Sequence, residues 1–134
     1  MSQENVEILR RVFQRWASGN LSNTDVFHPD VEYSRIGAET PALEGRWLGL
    51  DEMRSAMSEY LRAIADLRIE AERIIDLGGE RVLVLSRHTA RGKRSGVPIA
   101  HELGDVFTLR GGKIVRFDSY WSRAVALEAV GVPE

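Results

Sequence analysis

The chain has 134 residues, 43% hydrophobic and 28% charged, with a formal net charge of −2 and no cysteine. Those figures describe one globular domain large enough to bury a core unaided, and they exclude a disulfide framework, a thiolate zinc site and a thiol nucleophile. Its scattered basic residues leave no footprint for nucleic acid or an anionic membrane, and nowhere do about 18 apolar residues run together. The opening Met-Ser-Gln-Glu-Asn-Val-Glu has neither a basic nor an apolar leader region, so the chain reads as cytoplasmic.

From Ser2 onward, Val6, Leu9, Phe13 and Trp16, with Ile8 and Val12 beside them, recur at helical spacing and define one apolar face. Ser2 is placed to cap this helix and Gly19 to end it. Leu21 to Phe27 reads as a short second helix closed by His28-Pro29. Val31 to Ile36 reads as a short strand. The segment from Gly37 to Gly49, with Pro41, Gly45 and Trp47, reads as an irregular loop whose tryptophan could cover a pocket mouth or serve ordinary packing. A third helix follows Asp51, its expected cap, with Met53, Ala56, Met57, Tyr60, Leu61 and Ile64 on one stripe.

At Asp66 the period changes to alternation. Leu67, Ile69, Ala71, Ile75 and Leu77 share a face, opposed by Arg68, Glu70, Glu72 and Asp76. Gly78-Gly79 turns the chain into a central strand from Arg81 to Thr89, apolar on both faces over Val82 to Leu85. Arg91, Lys93 and Arg94, set among Gly92, Ser95 and Gly96, read as a solvated loop. His101 to Trp121 forms a β-hairpin about Gly111-Gly112. Ser122 caps a closing helix that runs to Val130 and stops at Gly131-Val132-Pro133. The order predicts an α+β fold: a curved, mostly antiparallel sheet packed against about three N-terminal helices, with a short C-terminal helix.

Asp105 is the chemically distinctive residue. Period-two alternation places it on one face with His101, Leu103, Phe107 and Leu109. A carboxylate among apolar neighbours costs free energy unless it is paired, protonated or facing a wet cavity, so Asp105 marks a pocket. Burial would raise its pKa toward a range useful for proton transfer, whereas a salt bridge would make it structural. His101 and His88 are its candidate proton-transfer partners, since histidine titrates near neutrality, or else structural histidines of a strand end or dimer contact. On the last strand Phe117, Ser119 and Trp121 share the face expected to look inward, leaving Arg116, Asp118 and Tyr120 on the other. Trp16, Tyr33 and Trp47 are expected to meet a flat apolar ligand, because aromatics bring area and a polar tip, although core packing accounts for Trp16 as well. Arg35, Met57, Tyr60, Phe107 and Phe117 complete the expected ligand contacts. His28, His88 and His101 lack the close spacing of a metal site, and no phosphate-binding glycine loop or nucleophile elbow is present, so neither metal nor cofactor is expected.

Several stretches carry a resemblance: Val6-Glu7-Ile8-Leu9-Arg10-Arg11 with Trp16-Ala17-Ser18-Gly19-Asn20, then Phe27-His28-Pro29-Asp30-Val31-Glu32, Gly111-Gly112-Lys113-Ile114-Val115-Arg116-Phe117, and the tail from Ala126 to Gly131. Together they resemble the SnoaL-like branch of the nuclear transport factor 2-like superfamily, which also contains ketosteroid isomerases and limonene epoxide hydrolases. The resemblance spans nearly the whole chain. It implies one conical α+β barrel over residues 1–134, commonly a homodimer, with a mostly apolar pocket for a small polyketide- or steroid-like molecule. Members of the superfamily are enzymes, ligand binders and noncatalytic adaptors alike, so fold alone does not assign a reaction.

Residue by residue, the resemblance gives Asp105 the place of the isomerases' protonated oxyanion-hole aspartate. The isomerases' general-base aspartate follows a Val-Glu pair, and here Tyr33 follows Val31-Glu32. Their first-helix tyrosine falls near Val12. SnoaL-like cyclases use an aspartate with a histidine, and epoxide hydrolases an Asp-Arg-Asp set whose types Asp105, Arg87 or Arg35, and Asp118 supply. The expectation is cofactor-independent isomerase, cyclase or hydrolase chemistry, or else a noncatalytic binding or dimerisation role.

Overall fold

Leu9, Val12, Phe13 and Trp16 form one buried stripe along α1 (Ser2–Ala17), as their spacing predicts. The structure, a computed structural model, describes residues 2–21, 25–38 and 43–132. The cap expected of the Ser2 side chain lies outside that description. Gly19 ends α1 at φ +91°, donating its N–H to the Trp16 carbonyl.

After α1 come β1 (Phe27–Ile36), β2 (Gly45–Leu48), α2 (Leu50–Arg62) and β3 (Ile64–Gly78). They are followed by β4 (Arg81–Gly92), β5 (Pro98–Arg110), β6 (Lys113–Tyr120) and α3 (Arg123–Val130). The strands make one sheet in the order β2-β1-β6-β5-β4-β3. Every neighbouring pair is antiparallel except β1 and β6. The parallel pair brings the chain's first strand beside its last, so residues remote in sequence meet at the middle of the sheet.

Five expectations of the fold are corrected. Phe27 opens a strand instead of closing a second helix, and its ring is buried against Phe117; residues 22–24 of that expected helix are outside the description. Gly45–Leu48 is not loop but a strand, paired with β1 through Tyr33↔Trp47, which stacks those two rings at 5.3 Å. Helix α2 is capped by Gly49 and not by Asp51, which lies in the first turn, where its charge suits the helix dipole. Glu52 adds an acceptor for the Leu48 N–H at 3.0 Å. Ile64 leaves the α2 stripe to begin β3.

The fifth correction concerns β3. A register irregularity between Ala71 and Arg73 inserts one residue and reverses the strand's phase. Leu67, Ile69 and Ile74 therefore face the main core, while Ile75 and Leu77 face the opposite side of the sheet. The main core lies between the inner sheet face and helices α1 and α2. A smaller core lies on the outer face, where Ala126 and Leu127 of α3 pack on Leu83, Leu85 and Val106. Ser122 caps α3 through the Val125 N–H, and Gly131 closes it in the left-handed conformation. No described helix is long and apolar enough to cross a membrane.

Candidate functional site

A cavity of about 440 Å³ opens between the inner sheet face and α2, and the carboxyl of Asp105 lies in its wall. Asp105 is 2% exposed. Strand pairing sets it opposite Ser119, whose hydroxyl donates to Asp105 Oδ1 at 2.7 Å. Leu103 and Phe117 flank the pair in the same wall. Burial pushes the Asp105 pKa up to about 7, and the Ser119 hydrogen bond only partly counters it. Near neutrality this carboxyl can therefore hold or give up a proton, as a general acid or base requires.

Across the sheet, Arg35, Ser119 and Asp105 form one row over β1, β6 and β5. Arg35 is 5% exposed, and its guanidinium lies over the rings of Tyr33, Trp47 and Tyr60 at 5.1 to 5.5 Å. Its Nε donates to the Tyr33 hydroxyl at 2.8 Å, and a terminal nitrogen donates to the Ala56 carbonyl at 3.0 Å. Burial raises the Tyr33 pKa, with Arg35 pulling the other way.

The imidazoles stand further along the same wall. His88 pairs with His101 across β4 and β5, while Asp105 pairs with Val84. Four residues of strand, roughly 13 Å, thus separate either histidine backbone from that of Asp105. His88 lines the cavity, and neither of its buried ring nitrogens has a partner among the described residues. Burial, then His101, lowers its pKa to about 4, so it is neutral at pH 7. His101 does not line the cavity; its ring packs on Trp121 at 5.0 Å.

Of the expected ligand contacts, Trp16, Tyr33, Arg35, Met57, Tyr60 and Phe117 line the cavity. Trp47 and Phe107 do not: Trp47 backs Tyr33, and Phe107 is fully buried beneath Phe117 at 4.5 Å. Leu67, Ile69, Leu103, Ser119 and Trp121 line it as well. Ser119 and Trp121 were legible as inward-facing by strand alternation, but nothing in their spacing marks them as lining rather than core. Asp118 lies on the outer face, bound at 2.9 Å to Arg116, and Arg87 is exposed in register with Glu70 and Glu102. Neither joins Asp105, so an Asp-Arg-Asp set of these residues does not converge. Among the described residues, no three histidine or acidic side chains group to hold a metal ion.

The curved, open, mostly antiparallel sheet wrapped on its helices, with a cavity between them, defines the nuclear transport factor 2-like cone. Residues 9–117 match the SnoaL-like domain, and the chain belongs to that family. An uncharacterised protein of Mycobacterium tuberculosis H37Rv is 27% identical over 126 residues, covering 92% of this chain and 93% of the relative. Among solved structures, a nuclear transport factor 2-like protein of unknown function from Burkholderia pseudomallei superposes with a TM-score of 0.77 at 21% identity, covering 95% of this chain and 97% of the other. A Jannaschia sp. CCS1 protein described as a SnoaL-like polyketide cyclase gives 0.75 at 16% identity, covering 99% and 95%. At these identities the likeness is one of fold.

Proposed function

We propose that the protein is a cofactor-independent proton-transfer enzyme of isomerase, cyclase or hydrolase type, acting on a small, largely apolar, ring-bearing molecule. One observation carries this reading: a fully buried carboxyl, held by Ser119 and bordered by Leu103 and Phe117, opens on a cavity large enough for such a molecule. Asp105 would accept or deliver the proton, and a ligand reaching toward His88 would find a neutral imidazole. The family's described members support a small-molecule pocket.

A binding role without chemistry is the second reading, and it draws on the separation of Asp105 from the imidazoles. Hydrogen–deuterium exchange at the α-carbon of 2-tetralone in D2O separates the two. The enzymatic reading expects wild-type exchange at least about 100-fold faster than that of Asp105→Asn. Equal rates with saturable binding of the ketone would leave only the binding role. The homodimer is part of the same proposal, and a 15.1 kDa species in light scattering would contradict it.

A further inference from the structure

Three side chains that bear hydrogen-bond donors, Arg35, Tyr60 and Trp121, line the cavity and adjoin one another through their rings. Arg35 offers N–H groups beyond those that Tyr33, Ala56 and, at 3.5 Å, Leu43 accept. Its acceptors are all neutral oxygens, and among the described residues no carboxylate pairs with it. A guanidinium buried to this degree is costly while its charge stays unbalanced. Stacking on three rings holds its plane without neutralising it.

Two further donors adjoin it. The Tyr60 ring lies 5.5 Å below the guanidinium, and its buried hydroxyl has no partner among the described residues. Trp121 meets Tyr60 edge-on at 5.4 Å, and its buried indole N–H is likewise unpartnered. An indole nitrogen and a guanidinium can only donate, so what completes this group must accept.

We infer that the ligand carries a planar oxyanion, a carboxylate or an ionised enol, seated on Arg35, Tyr60 and Trp121. This deepens the reading above, since it relies on the same cavity being the ligand site. The row across the sheet gives it a direction: Arg35 and Asp105 are two strands apart, roughly 10 Å between backbones, with Ser119 between them. An oxyanion held at Arg35 therefore turns the carbon skeleton toward Asp105, and the substrate class becomes small apolar ring acids.

Calorimetric titration with 2-naphthoate, 2-naphthalenemethanol and 2-naphthylmethylammonium tests this. The wild type should bind the acid about tenfold or more tightly than the alcohol, with the ammonium weakest. Tyr60→Phe should weaken the acid by about tenfold and leave the alcohol unchanged, and Arg35→Met should abolish the preference. An acid that binds no tighter than the alcohol to wild type overturns the inference, and so does an equal loss of both in Tyr60→Phe. Neither result depends on Arg35→Met folding. If Asp105→Asn keeps the acid preference while wild type shows no ketone exchange, the proton-transfer reading fails and this one stands. Exchange without acid preference is the converse.

Discussion

Ser119 and Asp105 face each other across β6 and β5, and the serine hydroxyl donates to the carboxyl at 2.7 Å. The contact fixes which way the buried carboxyl points and favours its ionised form against the stronger opposing effect of burial. Removing the hydroxyl should therefore move the Asp105 pKa further up from about 7, by about one unit. Titration of Ser119→Ala by carboxyl-carbon NMR checks this, and an unchanged or lower value would show that the bond does not restrain the carboxyl.

Asp105 and His88 should tilt the stability profile in opposite directions. Asp105 holds its proton up to about 7 in the folded chain but only to 3.8 unfolded, so the folded state binds more protons in between. Its contribution is present in full below 3.8 and is lost as pH rises to 7. His88 titrates at about 4 folded and 6.5 unfolded, so the folded state binds fewer protons, and its contribution is present above 6.5 and lost as pH falls to 4. Each slope approaches about 1.4 kcal/mol per pH unit, and in wild type they largely cancel between pH 4.5 and 6.5. Urea midpoints over that range should rise with pH in Asp105→Asn and fall in His88→Gln. Parallel profiles for both variants would contradict the opposed shifts.

Gly104 lies against α3, and a Cβ there would overlap that of Ala126. Gly104→Ala should cost about 1 to 3 kcal/mol in denaturant unfolding. Adding Ala126→Gly should recover most of the loss, because the pair competes for one space. A neutral Gly104→Ala would mean that α3 is free to shift outward.

How far the sequence announces this arrangement depends on whether a residue's neighbours are local. Strand alternation alone places Asp105 inward with Leu103 and Phe107, and puts Asp118 on the other face of its strand with Arg116. The stripes of α1 and α2 and the Gly111-Gly112 turn, with both φ values positive, follow from composition in the same way. The irregularity at Ala71 to Arg73 is invisible because it depends on the partner strand, and it moves Ile75 and Leu77 to the opposite face. Strand β2 escapes notice because four residues, the first of them a glycine, carry too little pattern to outweigh the loop around them. That Trp47 backs Tyr33 instead of reaching the cavity, and that Arg35, Ser119 and Asp105 fall in one row, follow from the parallel β1–β6 pairing and strand registers that local pattern does not fix.

The titration of Asp105 by carboxyl-carbon NMR, assigned against Asp105→Asn, tests the central claim most directly. A proton-transfer carboxyl buried in the cavity wall should show an apparent pKa of about 7, with the change in protonation complete within the range where the chain stays folded. A value at or below about 3.9 would make Asp105 a solvated or paired structural group and would contradict its assignment as the acid or base of this site.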